Sequence, residues 1–349
     1  MSRTEAPGVL IGMSNVLTAR TSRAPRGGEP AAEARDLLRT LARRALEGRE
    51  SFIHDAVLAG RRARLFTTSH HLCDFFRDNF PTVAEWKNAT GRDVPAEPEF
   101  TLWAPTGVAE VPEGSCVSGK EGFLFNTSWY NDLRALAMEC LARALVMEGH
   151  ILHAGAAEVG GRGFVWRYPK EVIHPTPTWG LLELPDSKLV ADGWVFVDAD
   201  GRVQALERRL YARTSLLASY PGLLPRVLNA KFENVPDRGG DASAILREAL
   251  KADSARALAG LPPERALEIT ARLTVSPDSR MMIDPAALVG RSRVGGTLKA
   301  DAAFALKEGE GSALEAGAVE PFPCKGFTLN VSALRGHPRE VAKLIARSA

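Results

Sequence analysis

The stretch from His150 to Asp200 constrains the fold of this chain more than any other. Residues 151–159 are apolar enough to predict a strand, Gly160 and Gly161 predict a turn, and residues 163–167 predict a second strand. An irregular loop, a short apolar helix and a strand ending at Asp198 follow. Strand, loop, helix and a strand ending in an aspartate form the layout of a nucleotide-binding βαβ unit. We therefore expect an α/β core around this stretch.

The loop of this unit lacks the residues that hold phosphate. A Walker A loop reads GxxxxGK(S/T), because glycines let backbone amides surround phosphate, the lysine binds it and the hydroxyl binds Mg²⁺. In residues 168–176, Tyr168, Glu171 and Ile173 stand where glycines would be expected, His174 stands at the lysine and Pro175 at the hydroxyl. We therefore expect conventional Mg-ATP binding to be weak or absent, and the sequence identifies no other cofactor.

Composition narrows the classes of partner. The chain has 349 residues, 45% apolar and 25% charged, with a formal net charge of +2. So small a charge does not favour nucleic-acid binding, and no apolar run reaches the roughly 20 residues of a membrane span. Four cysteines are scattered without metal-ligand spacing. We expect a cytoplasmic protein with no metal site, no nucleic-acid partner and no membrane association.

The chain divides on sequence into a tail and two modules. Residues 1–29 are rich in Arg, Pro, Gly and Ser and are expected to be poorly ordered. Residues 30–127 are expected to form a small α/β module with a helix after Pro30, a strand at 62–67, a helix capped by Ser69, and strands at 100–104 and 122–126. Residues 128–349 are expected to form the larger core, beginning with a helix over 128–149.

The end of the chain has further local signals. Residues 279–290 predict a short strand that turns into a helix capped by Asp284, with an ordinary turn as the alternative for that residue. Residues 296–309 predict a pair of strands, and 337–348 predict a terminal amphipathic helix.

Three short motifs carry a resemblance to a known family. They are Leu152-His153-Ala154-Gly155, Asp192-Gly193-Trp194-Val195, and the arginine-rich segment over residues 207–214. Together with the helix before them, they resemble the HPr serine kinase/phosphorylase-like family, which is related more distantly to phosphoenolpyruvate carboxykinase. The resemblance covers roughly residues 120–335. It implies an α/β fold in which helices flank a mixed sheet in a P-loop kinase-like core, beside the smaller N-terminal α/β module.

One departure from the family concerns metal. The family places two adjacent acids where this chain has Asp192 and Gly193, so the first acid is kept and the second is lost. Loss of a metal-linked acid agrees with loss of the phosphate loop.

The resemblance and the residue chemistry together select the candidate site. The candidate catalytic residues are His174, Asp192 and Glu171. The candidate substrate-binding residues are His153, Lys170, Glu207, Arg209, Tyr211, Arg213 and Arg280. Arginines near a retained acid suit an anionic substrate. The simpler alternatives are that His153 bonds to backbone, that Arg209 and Arg213 pair with surface acids, and that His174 caps the loop.

Two function classes follow. In one, the protein is an enzyme that acts on a small anionic or amino-acid-like substrate or on a peptide, without a conventional ATP-phosphate loop. In the other, it is a non-catalytic pseudokinase that binds a ligand or a partner protein. A homo-oligomer is compatible with either.

Overall fold

A computed structural model describes residues 10–12, 40, 42–106, 115–119, 122–126, 133–134, 137–138, 141, 145, 148–168, 177–182, 184–213, 231–233, 280–332 and 338–348. Two compact units divide the chain. The first comprises Met1–Leu152 with Phe196–Ala199, and the second comprises His153–Val195 with Asp200–Ala349. Residues 128–152 and 196–199, which belong to the predicted segment 128–349, are grouped with the first unit.

The first unit contains a six-stranded sheet. Its elements in chain order are β1 (Leu10–Gly12), β2 (Phe52–Leu58), β3 (Arg61–Thr67), α1 (His70–Asn79), α2 (Val83–Thr90), β4 (Phe100–Ala104), β5 (Ser115–Gly119) and β6 (Gly122–Asn126). The strand order is β1-β5-β6-β4-β3-β2. Strand β4 is parallel to both of its neighbours, β3 and β6, whereas the outer pairs are antiparallel. The sheet is therefore mixed.

Local sequence accounts for the helix starts in this unit. The Ser69 hydroxyl accepts a hydrogen bond from the Leu72 amide at 3.3 Å, which confirms the predicted cap of α1. Thr82 and Glu85 form a reciprocal capping box at the start of α2. The strands predicted at 62–67, 100–104 and 122–126 are confirmed as β3, β4 and β6. Within the helix predicted over 128–149, the described residues Leu133, Ala137 and Leu141 are helical and buried.

The second unit is built on a larger sheet. Its elements are β7 (Gly149–Val159), β8 (Arg162–Arg167), α3 (Pro177–Leu181), β9 (Ser187–Asp198), β10 (Arg202–Ala205), β11 (Leu210–Arg213), β12 (Lys231–Glu233), β13 (Arg280–Ile283), α4 (Pro285–Val289), β14 (Thr297–Lys299), β15 (Ala302–Lys307), β16 (Leu314–Ala316), β17 (Lys325–Asn330) and α5 (Pro338–Ser348). The first residues of β7 and the last of β9 are grouped with the first unit.

Eight of these strands form one mixed sheet in the order β14-β10-β9-β7-β8-β15-β17-β16, and β11-β13-β12 form a separate antiparallel sheet. Strands β8, β15 and β17 are parallel to one another, whereas β7 is antiparallel to β8. The expected α/β class with a mixed sheet and flanking helices is confirmed at this level.

Strand β7 also runs antiparallel to its other neighbour, β9. At one end, a Cβ on Gly149 would lie 2.2 Å from the Val197 carbonyl oxygen. At the other end, Lys188 Nζ lies 2.9 Å from Glu158 Oε1. As residue numbers rise along β7, those of the contacts on β9 fall, so the two strands are antiparallel. Strands β8 and β9 are therefore parallel to each other, with β7 between them and α3 in the connection.

Helices α3 and α5 bury one face of this sheet. Leu181 from α3 and Val341, Ala342 and Ile345 from α5 pack in one cluster with strand residues Phe164, Trp166, Tyr168, Phe304 and Leu329. The predicted terminal helix is thus confirmed, and its apolar stripe is the reason it docks.

One sequence prediction is wrong in its pairing. The two segments predicted as a strand pair over residues 296–309 do form strands, β14 and β15, but they do not pair with each other. Strand β14 pairs with β10, and β15 lies between β8 and β17. Strand pairing depends on long-range contacts that local alternation of apolar residues cannot specify.

Candidate functional site

Gly155 on β7 shows which side chains of β7 and β8 lie on the same face of the sheet as the candidate site. Alternate residues of a strand share a face, so His153 and Gly155 share a face of β7. A Cβ on Gly155 would lie 2.1 Å from Nε1 of Trp166, which shows that the indole of Trp166 crosses the strand at Gly155. The side chains of Trp166 and Tyr168 therefore lie on the same face of the sheet as His153.

A chain of hydrogen bonds links this face to β9. Trp166 Nε1–H donates to the Tyr168 hydroxyl at 2.8 Å, and that hydroxyl donates to Oδ1 of Asp192. Thr178 on α3 places its hydroxyl 3.4 Å from the same tyrosine oxygen. Trp166 and Thr178 are 0% exposed, Tyr168 is 8% exposed and Asp192 is 9% exposed. Each donor in this buried chain faces toward the carboxylate: the indole donates to the hydroxyl, and the hydroxyl donates to Asp192. Hydrogen bonds aligned in this way polarise and strengthen one another.

Two aromatic rings flank His153. The ring of Tyr168 lies 5.1 Å from the imidazole between centroids, and the ring of Trp194 lies 5.4 Å from it. The Tyr168 amide donates to the His153 carbonyl oxygen at 3.1 Å, so the two residues are neighbours across the β7–β8 pair. Trp194 is two residues beyond Asp192 on β9 and shares its face. His153, Tyr168, Asp192 and Trp194 therefore form one cluster, which we call the aromatic–acid cluster.

The aromatic–acid cluster lies at the border between the part of the sheet face that α3 and α5 cover and a part that is more exposed. Trp166 and Tyr168 belong to the core that α3 and α5 cover. His153 and Trp194 are partly exposed. The Asp192 carboxylate thus lies between a covered part of the face and an open part, beside Tyr168, the last described residue before the segment over 169–176. A buried carboxylate at the edge of an open area can take or give a proton, or fix the orientation of a ligand.

The structure brings together some of the residues selected from sequence. Asp192 and His153 belong to the aromatic–acid cluster. Glu207 is beside it, since its Oε2 accepts a hydrogen bond from the Trp194 amide at 3.2 Å. Lys170, Glu171 and His174 lie outside the described residues, so their predicted roles stay predictions.

The remaining selected residues are associated with the small sheet. Arg209 Nη1 lies 2.9 Å from Asp284 Oδ2, and the Asp284 side chain also caps α4 through the Ala286 amide at 2.9 Å, as predicted. The Tyr211 hydroxyl contacts Met282 Sδ at 3.5 Å. Arg213 of β11 and Arg280 of β13 are paired across the two strands in the backbone register.

Sequence reasoning missed the importance of Tyr168, Trp166, Thr178 and Trp194. Tyr168 was noted only as a residue that replaces a loop glycine. One signal was present: Trp166 and Tyr168 alternate along one strand and therefore share a face. Their meeting with Asp192 across β7 depends on the order of strands in the sheet, which the local pattern does not contain.

Among the described residues, no group of three or more His, Cys, Asp or Glu side chains is arranged to hold a metal ion. In the same part of the chain, no helix is long and apolar enough to cross a bilayer. No protein-family model matches the chain, and no curated protein shows significant similarity to it.

Proposed function

We propose that this protein is an enzyme derived from an HPr kinase-like phosphotransferase, acting on a small anionic or amino-acid-like substrate without the conventional ATP-phosphate loop. The observation that carries the proposal is the position of the buried Asp192 carboxylate, which lies within hydrogen-bonding distance of Tyr168. Tyr168 is the first residue of the segment that corresponds to the phosphate loop, and Asp192 corresponds to the retained acid of the resemblance.

The topology around Asp192 supports this proposal. In P-loop kinases, the phosphate loop joins a strand to a helix, and the catalytic or metal-linked acid comes from a nearby parallel strand. Here β8, α3 and β9 follow in that order along the chain, and β8 and β9 are parallel. The specific P-loop kinase-like core remains part of the proposal.

In the proposed reaction, Asp192 acts as the general base or orients an imidazole. His174, at the lysine position of the loop, exchanges a proton near neutral pH, which an ordinary lysine does not readily do. Glu171 and Lys170 adjust the charge of the pocket. The proposed substrate contacts come from His153 and Glu207 in and beside the aromatic–acid cluster. Further proposed contacts come from Arg209, just before the small sheet, and from Tyr211, Arg213 and Arg280 in it.

A second function has one observation in its favour. The hydroxyl of Tyr168 donates a hydrogen bond to Oδ1 of Asp192. In an active enzyme of the proposed kind, this carboxylate would bind a metal or a substrate hydroxyl. In a non-catalytic pseudokinase, we expect the former catalytic acid to be hydrogen-bonded by another side chain of the protein, as Asp192 is by Tyr168. In that case, the surface around Trp194 would bind a ligand or a partner protein without turnover.

Activity measurements on matched variants separate the two functions. A metabolite screen that includes peptides and amino acids is run with the wild-type protein, Asp192→Asn and His174→Ala. Asp186→Asn is the matched control, because Asp186 is an exposed turn residue of the second unit. We expect turnover of one substrate class to fall by about 10²-fold or more in the first two variants, the usual scale for a lost general acid or base, and to be unchanged in the control.

Two results would contradict the enzyme proposal. Near-wild-type turnover in both Asp192→Asn and His174→Ala would assign the chemistry to other residues. No turnover in the screen, combined with a protein partner that co-purifies and is lost on substitution of Trp194, would favour the pseudokinase.

A further inference from the structure

The aromatic–acid cluster has the composition of a site for an organic cation. Trp194 is a partly exposed indole, and the imidazole of His153 lies 5.4 Å from it between ring centroids. The face of an indole carries negative electrostatic potential and attracts ammonium groups placed over it. Asp192, two residues away on the same face of β9, adds a formal negative charge.

The charges next to the cluster favour a cation further. Glu207 is held beside Trp194 by the 3.2 Å bond from the Trp194 amide. The guanidinium of Arg209 lies 2.9 Å from the carboxylate of Asp284, which offsets its positive charge. Two acids therefore accompany the partly exposed aromatic rings.

We propose that the partly exposed end of the aromatic–acid cluster binds the ammonium group of its ligand, over the Trp194 indole and within the field of Asp192 and Glu207. The ligand class is an amine, alkylated or quaternary. This inference rests on the proposed function for the location of the site, and it narrows the substrate from anionic or amino-acid-like to one that presents a cationic nitrogen.

The rigid setting of the rings supports such a role. Trp194 is on the central part of β9, and His153 is on β7, the next strand of the sheet. The ring of Tyr168 lies 5.1 Å from that of His153 between centroids, and its hydroxyl is hydrogen-bonded to Trp166 and Asp192. Rings fixed by strands and by a hydrogen-bond chain lose little freedom when a ligand binds, which preserves affinity.

The test uses choline and its neutral isostere 3,3-dimethyl-1-butanol as probes of the full-length protein. The two molecules have the same shape, so a difference between them reports the charge. The protein is labelled with ¹⁵N in its six tryptophans. The indole N–H signal of Trp194 is assigned by its loss in Trp194→Phe. We expect choline to shift that signal saturably, the isostere to leave it unchanged, and the Trp103 signal of the first unit to stay in place in both titrations.

Two variants then identify the source of the affinity. Trp194→Leu keeps an apolar side chain but removes the aromatic face, and its titration is followed by choline line broadening. Asp192→Asn keeps the shape but removes the charge. We expect each to weaken choline binding by roughly fivefold or more, which corresponds to a partly desolvated cation–π contact or a nearby charge. Exposed Asp186→Asn serves as the matched charge control and is expected to bind choline as the wild-type protein does.

Equal binding of choline and the isostere would overturn the inference in favour of an apolar site. A Trp194 shift with inorganic phosphate but not with choline would overturn it in favour of an anion site. Neither result depends on turnover, so choline binding without activity would contradict the enzyme proposal alone. Activity on a substrate that lacks a cationic nitrogen would contradict the present inference alone.

Discussion

Tyr168 donates its hydroxyl hydrogen to Asp192 across an intervening strand. Tyr168 follows β8, Asp192 lies in β9, and β7 separates the two strands in the sheet. Strands two positions apart are about 10 Å apart, so only a long side chain bridges them. A glycine, which a phosphate loop would have at position 168, could not reach Asp192. In the proposed correspondence with a P-loop kinase, the residue that stands in place of a loop glycine is therefore also the partner of Asp192.

Removal of that hydroxyl is expected to destabilise the second unit. Tyr168→Phe deletes one atom and leaves the Trp166 indole N–H and the Asp192 carboxylate each without this partner. Because these groups are buried, we expect the free energy of unfolding to fall by about 1–3 kcal/mol. Urea denaturation monitored by tryptophan fluorescence measures the change.

The control for this prediction is Tyr211→Phe. Its hydroxyl makes a contact of 3.5 Å to the sulfur of Met282, a weak acceptor, and its side chain is partly exposed. We expect a loss below about 0.5 kcal/mol. Equal losses in both variants would show that the hydroxyl of Tyr168 has no special structural role.

Gly155 is expected to tolerate no side chain. A Cβ at this position would lie 2.1 Å from Nε1 of Trp166 and 2.2 Å from its Cε2, in a fully packed part of the sheet. Gly155→Ala should therefore displace the indole, break its bond to Tyr168 and cost about 1–3 kcal/mol in the free energy of unfolding. The measurement is urea denaturation, and altered near-UV circular dichroism of the tryptophans should accompany it.

Gly296→Ala is the matched control for Gly155→Ala. Gly296 is exposed and has no atom within 4 Å of an added Cβ. A change within about 0.5 kcal/mol is expected there. If Gly155→Ala also changes the free energy of unfolding by less than about 0.5 kcal/mol, then close packing of the Trp166 indole on Gly155 is not required for stability.

The local elements of this fold were largely predictable from sequence, for physical reasons. The strand Phe100–Ala104 alternates buried and partly exposed residues, and its predicted bounds match those observed. Positive φ angles at Gly160 and Gly161 (58° and 77°) are what a tight turn between strands needs, and glycine adopts them freely. Asp284 caps α4 as predicted, since the cap depends only on residues next to it in the chain.

Long-range relationships were not predictable in the same way. Arg209 and Asp284 form an ion pair although the chain separates them widely, and no local pattern indicates which acid an arginine will meet. The position of β15 between β8 and β17 depends likewise on competition among all strands for partners. The bond from Tyr168 to Asp192 requires both the strand order and the position of Gly155. The candidate site could therefore be predicted as a set of residues on β7 and β9, but its aromatic half could not.

Mg-ATP is expected not to stabilise the protein. The segment over residues 169–177 contains three prolines, at 169, 175 and 177, and each lacks the amide hydrogen that would bind phosphate. A ligand bound only to the folded state raises the melting temperature in proportion to the logarithm of its concentration above Kd. We expect no saturable change in Tm with millimolar Mg-ATP. A saturable change with micromolar affinity would restore an ordinary kinase function.

Arg293 is expected to hold the turn between α3 and β9. Its Nη2 donates to the carbonyl oxygens of Leu182 and Leu184 at 3.0 and 2.7 Å, and its Nε donates to the Ser187 carbonyl oxygen at 2.8 Å. These carbonyl groups come after a short helix and need donors. Arg293→Met keeps much of the side-chain volume and loses every donor. We expect a loss of about 2 kcal/mol in unfolding free energy, measured by urea denaturation.

Arg291→Met is the matched control for Arg293→Met. Arg291 is exposed in the same short 3₁₀ helix, Arg291–Arg293. Its replacement is expected to change stability by less than about 0.5 kcal/mol. Hydrogen exchange should also show faster opening of residues 184–190 in Arg293→Met and not in the control. Similar exchange in both variants would contradict the proposed role of Arg293.

Asp55 is expected to make the stability of the first unit sensitive to acid. Arg64 Nε lies 2.6 Å from its Oδ1, and Arg62 Nε lies 3.0 Å from its Oδ2. The hydrogen bond from Arg64 is the main cause that lowers the pKa of Asp55 below its ordinary value of 3.8, and Arg62 adds to the effect against the opposing influence of burial. Because the folded-state pKa is lowered, the stabilisation is complete above the unfolded-state pKa of about 3.9 and is lost as the pH falls through the folded value.

The pH experiment compares wild-type protein with Asp55→Asn. At pH 7 the variant should lose about 1–2 kcal/mol of unfolding free energy, because two arginines lose their charged partner. As the pH falls below about 4, toward the lowered folded-state pKa of Asp55, unfolding is accompanied by proton uptake at this carboxylate. The difference in stability between the two proteins should therefore shrink. Asp93→Asn is the control, since Asp93 is 79% exposed in its pair with Lys87 and should contribute little at any pH. A difference between wild type and Asp55→Asn that stays constant from pH 7 to pH 3 would show that the ionised carboxylate is not what stabilises this pair of strands.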